Sequence, residues 1–293
     1  MSFPRIMLAV TVTAAAAIAT GCGSSNPASA PASAPASATP IADGAAPVNA
    51  RLSPHAQYTA IASAVNLRPG DVPGFIARKK EPSHVKLHNK AFEGGSAYRR
   101  CFGVSKSTKP VFTADSDSFK LVEKMSEQTA SSSVEVMPTI ASVQHELQTV
   151  RRTLDNGAVR GCLARMFNAL GTQAQATRLD GGTLRVIVGG LRLAPVALGS
   201  LKGTDGSFGL SISMNLTYIF TLHGRTVKIP TTLQFDSLAF AVGRAEFELT
   251  TTAIGRSFPS ELEGTLFSLL LSRAVAVTQQ YSDITQAPGP APS

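Results

Sequence analysis

The chain has 293 residues, with 27 Lys and Arg against 19 Asp and Glu, for a formal net charge of +8. It has no Trp and only 6% aromatic residues, so its basic side chains lack the interleaved stacking rings of a nucleic-acid surface, and no nucleic-acid partner is expected. The length supports one substantial core, and nothing after the first twenty residues is apolar enough to cross a bilayer as a helix.

One positive residue, Arg5, precedes the apolar run Ile6 to Ile18. About a dozen residues fall short of the roughly 20 that a spanning helix needs, and small residues follow at once, which is the pattern of a secretory signal. The segment closes on Ala19, Thr20, Gly21 and Cys22, followed by a polar run. Here the chain resembles a bacterial lipoprotein precursor, with Ala19 standing where that family usually has leucine. The resemblance implies that residues 1–21 are removed as a signal peptide. It further implies that Cys22 receives acyl chains such as palmitate, and that the mature protein sits on the extracytoplasmic side of the cell membrane. Each buried methylene contributes about 0.8 kcal/mol, so several chains are needed for durable anchoring. Residues 22–50 repeat Ala, Pro and Ser, have nothing to bury, and read as an extended tether.

A single domain is expected over residues 51–280, with a disordered tail at 281–293. Pro54 to Val65 reads as a short helix, and Leu67 to Phe75 carries two prolines and two glycines, which is turn chemistry. Between Arg78 and Lys109 nine basic residues face only Glu81 and Glu93. Two readings stay open for that stretch. It is a solvated loop, or it is drawn to anionic headgroups or acidic polymer at about 1 kcal/mol per basic side chain. The region up to Phe119 shows no clear periodicity. With Cys22 acylated, Cys101 and Cys162 are the two remaining cysteines in an oxidising compartment, and they are expected to form a disulfide.

Ser132 to Met137 alternates as a strand that Pro138 ends. Ile140, Val143, Leu147, Val150 and Leu154 then form one helical stripe, stopped by Asn156 and Gly157. A second helix spans Ala158 to Leu170 and turns Cys162 inward. Thr183 to Leu193 reads as a strand. From Phe208 to Leu222 every second residue is apolar, and His223 with Gly224 makes a two-residue turn. That turn sets Phe220 opposite Val227 and Tyr218 opposite Ile229. A change of parity at Asp236 and Ser237 reads as a bulge or bend. Gly243 and Arg244 form a second tight turn, placing Phe240 against Phe247 and Leu238 against Leu249. On this reading Leu216, Tyr218, Phe220, Val227, Ile229, Phe240 and Phe247 share one apolar face, the candidate ligand-binding surface. A closing helix runs from Ser257 to about Gln279, with Glu261 and Glu263 favouring its N-terminus.

The expected fold class is α+β: a curved antiparallel β-meander covered by helices on one face, in a Mog1/PsbP-like or helix-grip-like layout. This order also resembles actinobacterial cell-envelope lipoproteins and the extracytoplasmic sensor domains of mycobacterial serine/threonine kinases, across Ser53 to Gln279. Catalytic groups are not evident. His84 and His88 have a metal-ligand spacing, but Pro82 and the flanking lysines oppose a site. His145 and Glu146 lack the second histidine of a metalloprotease helix, because Thr149 holds its position. No GxSxG occurs, and the carboxylates read as scattered, with no pair on the meander's apolar face. No enzyme activity, cofactor or metal is expected. The expected function is a membrane-anchored lipoprotein that binds an apolar ligand or an envelope component. Its alternative is a structural or sensor module with a filled core and an envelope protein partner.

Overall fold

A computed structural model describes residues 53–79, 101–103, 109–123, 125–155, 159–165, 177–179, 182–222 and 224–281. The expectations for the signal, Cys22, the tether, the stretch from Lys80 to Arg100 with His84 and His88, His223, the second helix beyond residue 165 and most of the tail lie outside these residues.

The described strands are β1 (Ile76–Arg78), β2 (Phe112–Asp115), β3 (Ser118–Glu123), β4 (Ser126–Val136), β5 (Thr177–Leu179), β6 (Gly182–Pro195), β7 (Gly206–Leu222), β8 (Arg225–Val242) and β9 (Ala245–Ile254). They form one open antiparallel sheet in the order β1-β3-β4-β9-β8-β7-β6-β5, with β2 also paired to β4. The helices are α1 (Pro54–Val65), α2 (Ile140–Asp155) and α3 (Ser260–Gln280), and residues 159–165 are also helical. The α+β class and the antiparallel meander are therefore present as expected.

Both tight turns fall where the sequence places them. Leu222 pairs with Arg225 and Val242 with Ala245, with Gly224 at φ 77° and Gly243 at φ 60° supplying left-handed backbone at little steric cost. The three short strands before Met125 were not legible as elements. β2 and β3 lie in turn along one edge of β4, and the register shifts by one residue between them. At the break the Ser116 hydroxyl accepts from Ser132 N–H at 2.8 Å. That extra residue keeps Phe112, Ala114 and Phe119 on a common face despite their mixed parity.

The helical cover departs from expectation. The β7–β8 register runs without a shift from Gly206↔Ala241 to Leu222↔Arg225, so no bulge exists at Asp236 and Ser237. Cross-strand partners share a face. Phe208, Leu210, Ile212, Met214 and Leu216 therefore look the same way as Ala239, Phe235 and Leu233, and Phe240, paired with Ser207, looks the other way. The change of parity marks the point where β8 becomes apolar on both sides, as a strand covered on both faces must be. One face, called A here, carries Val143, Leu147 and Val150 of α2, with Phe102, Val159 and Leu163, over β7. The opposite face, B, carries Tyr58, Ile61 and Val65 of α1, with Leu266, Phe267, Leu270 and Ala274 of α3, over Phe240, Phe247 and Leu249. Helices cover two faces of one sheet, not one.

Local chemistry explains these helices. Ser53 caps α1, its hydroxyl accepting from Ala56 N–H at 3.3 Å, and Pro54 suits a first turn. The Thr139 hydroxyl accepts from Ser142 N–H at 3.0 Å ahead of α2. In α3 Arg273 faces the 67–75 turn, donating from Nη1 and Nη2 to Asp71 at 2.6 and 2.8 Å. Burial opposes ionisation of Asp71, but the Arg273 fork, the Arg68 N–H and the two arginine charges outweigh it and lower its pKa. A lowered carboxyl stabilises the fold above its unfolded value, and that stability is lost as pH falls through the folded one. None of the described helices is long and apolar enough to cross a membrane.

Cys101 and Cys162 are joined, with Cα atoms 5.4 Å apart at a sequence separation of 61. Phe102 is fully buried beside the bond, and Thr153 of α2 donates to its carbonyl at 3.1 Å. The bond ties residues 101–103 to the helical layer of face A, while most of the basic stretch from Arg78 to Lys109 lies outside the described residues.

Candidate functional site

The sheet is uneven at one end. β9 stops at Ile254, opposite Leu233, whereas β8 runs on for eight further residues to Arg225 with β7 as its one strand neighbour there among the described residues. The step leaves a notch between the projecting β7–β8 hairpin and the turn joining β3 to β4. This open groove of about 790 Å³ is lined by Tyr218, Ile229, Pro230, Met125, Glu123 and Arg256 among others. Its size falls in the range of small-molecule sites. Apolar side chains around it are unusually bare: Met125 is 69% exposed, Val122 60% and Val227 55%. Register puts Val122, paired with Glu127, on the same face A as Tyr218, Val227 and Ile229.

Five of the seven candidate ligand residues therefore gather at this end. Leu216, Tyr218, Phe220, Val227 and Ile229 lie together on face A of the hairpin, with the Tyr218 and Phe220 rings 6.3 Å apart. Tyr218 and Ile229 line the groove, and Leu216 is buried in the face A core beneath α2. Burial, with the charge of Glu127, raises the Tyr218 pKa, so its hydroxyl stays neutral. Phe240 and Phe247 do not join them. They stack at 5.2 Å on face B, with Phe267 of α3 edge-on to Phe240 at 5.5 Å, and fill a solid core. The physical reason is the unbroken register described above.

A second feature was missed in the sequence. Glu246 and Glu248 alternate along β9, and Glu246 pairs directly with Glu135 of β4, so all three look out from face A. Glu146 of α2 is buried close enough to act on Glu246 by charge, and all four glutamates are buried. Thr113 donates to Glu135 at 3.0 Å and Ser237 to Glu248 at 2.5 Å. Burial first, and then the neighbouring Glu146 and Glu135 charges, raise the Glu246 carboxyl above its ordinary range. Glu248 is raised well above its ordinary range by burial and by Glu246 and Glu135, against the lowering effect of the Ser237 bond. The legible signal was the spacing of glutamates two apart in a strand, opposite in parity to Phe247 and Leu249. Among the described residues no group of three or more His, Cys, Asp or Glu is arranged to hold a metal. His145 is exposed on α2, away from the metalloprotease reading already set aside.

A raised carboxyl costs nothing below its unfolded pKa, near 4.3, and its penalty grows as pH rises toward the folded value. Glu248→Gln is therefore expected to melt higher than the parent at pH 8, by about 2 °C or more, and to match it near pH 4.5. Melting curves across that range check this; coincident curves at pH 8 would contradict the shift.

No family model and no curated protein matches the chain. Among solved structures it is similar to the extracellular domain of PknH from Mycobacterium tuberculosis, at 9% identity over 63% of this chain and 91% of that one, with a TM-score of 0.24. A superposition at that level supports no argument about this chain.

Proposed function

We propose that this chain is a membrane-anchored extracytoplasmic lipoprotein, without catalytic activity, that binds an apolar ligand or envelope component in the notch of its sheet. The carrying observation is the notch itself, where Met125, Tyr218 and Ile229 offer apolar surface that no core covers fully, with Val227 exposed on the same face of the hairpin. Anchoring rests on the signal and Cys22, and the Cys101–Cys162 bond suits an oxidising compartment. The solid face B core around Phe240 restricts the ligand to face A.

The notch also lies far from the start of the described chain. α1, the first described element, starts with the His55 ring 5.5 Å from Phe112, which pairs with Val136 at the far end of β4. The groove flanks Ser126, at the other end of that 11-residue strand, roughly 35 Å away at about 3.4 Å per residue. A domain held by its N-terminus presents the groove away from its point of attachment.

Mass spectrometry of apolar molecules copurifying with the full chain tests the binding. Ile229→Asp should cut their yield about tenfold while leaving the melting temperature within a few degrees of the parent, as a charged group in an apolar site demands. Parent protein free of any copurifying apolar molecule would oppose the reading. Cys22→Ala should move the protein from the detergent-extracted membrane fraction to the soluble one; unchanged fractionation would overturn the anchor alone.

A further inference from the structure

The notch discriminates between kinds of occupant. A peptide adding itself as a strand beside β8 would need the backbone groups that β9 leaves free. The Thr232 carbonyl accepts from Gly255 N–H at 2.9 Å, so Thr232 turns its backbone toward the β9 side, and by alternation Pro230, Lys228 and Thr226 do so too. Pro230 has no N–H to donate, and Lys228 sets a charge on the same edge. Both are devices that keep strands from pairing. The edge is thus poorly suited to strand addition, and recognition through side chains on face A meets Val227 and Ile229 with Tyr218 beside them.

Charge at the rim narrows the choice further. Lys120 is committed to Glu127 at 2.8 Å, with both side chains mostly covered. Arg256 at the groove mouth meets Glu123 only at 3.6 Å, with the two side chains 70% and 55% exposed. By comparison Arg273 holds Asp71 by two short bonds. A guanidinium so loosely engaged keeps its planar fork for a carboxylate or phosphate, and Arg225 and Lys228 are exposed along the same hairpin.

We infer that the occupant of the notch is a single amphiphile with an acidic head. Its hydrocarbon chain lies against Met125, Tyr218 and Ile229, and its carboxylate or phosphate is held by Arg256. This rests on the apolar-ligand reading above and specifies its chemistry.

Calorimetric titration of the full chain carrying Cys22→Ala, which has no acyl group to compete, tests it with dodecyl phosphate, dodecanol and phosphatidylglycerol vesicles. One equivalent of dodecyl phosphate should bind at least about tenfold more tightly than dodecanol, the gain of a charge-assisted bond. Arg256→Gln should remove that preference and leave dodecanol unaffected. Met125→Asp, at a bare position that the fold does not need, should weaken both. Equal affinity for the two probes, indifferent to Arg256→Gln, would overturn the acidic head and leave the apolar-ligand reading standing. Binding of neither probe would remove both. Binding to vesicles without binding monomeric dodecyl phosphate would overturn the single amphiphile in favour of a bilayer surface.

Discussion

Phe240→Ala should destabilise the domain by about 3–5 kcal/mol, whereas Phe220→Ala should cost less than about 2 kcal/mol. Phe240 is fully buried, stacks on Phe247 and takes the edge of Phe267, so truncation leaves a hole bounded by a strand on one side and α3 on the other. Neither neighbour can collapse into it without moving a helix off the sheet. Phe220 lies half-buried on the projecting hairpin, where solvent already reaches part of its ring. For a domain of this size the larger loss is about 10 °C or more in melting temperature. Urea titration of both variants checks the ordering, and a Phe220 variant as damaged as the Phe240 one would show that the hairpin end is packed core and no ligand surface.

Loss of the Cys101–Cys162 bond should have an effect of similar size. Closing 61 residues restricts the unfolded chain by about 4 kcal/mol on the loop-entropy model. The site of damage is specific. Phe102, Val159 and Leu163 belong to the face A core with α2, so the double serine variant should lose hydrogen-exchange protection first in α2 and in the 159–165 helix. α1 and α3, on face B, should keep theirs longer. Peptide mapping without reductant should recover Cys101 joined to Cys162. Uniform loss of protection across both faces would show that the two cores do not behave as separate units.

How far the sequence reached follows from the range of each interaction. Period two from Phe208, with His223-Gly224 and Gly243-Arg244 as two-residue turns, set β7, β8 and β9 and the pairing beside each turn, because turn length and alternation are local properties. The cross-strand pairs Phe220↔Val227, Tyr218↔Ile229 and Phe240↔Phe247 followed from them and are observed. The stripe of α2, the α1 segment and the closing helix were equally local, as was the supply of two cysteines. The short strands β1 to β3 were hidden because edge pieces of three to six residues bury too little to impose a pattern.

The tertiary structure alone decided which helix covers which face. Run from Leu238 to Val242, the apolar residues of β8 occur at both parities, and a strand covered on two sides gives the same string as a strand with a bulge. Only the unbroken β7–β8 register separates the two, and it sends Phe240 and Phe247 away from Tyr218 and Ile229. The notch was equally invisible, since it arises where β9 ends short of β8, a difference in length between two strands. The glutamates at 135, 146, 246 and 248 are scattered in sequence, and they meet because β4 pairs with β9 and α2 brings Glu146 within electrostatic reach of Glu246. Alternation and turns are written in neighbouring residues; the facing of layers and the meeting of distant side chains depend on which surfaces the whole chain must bury at once.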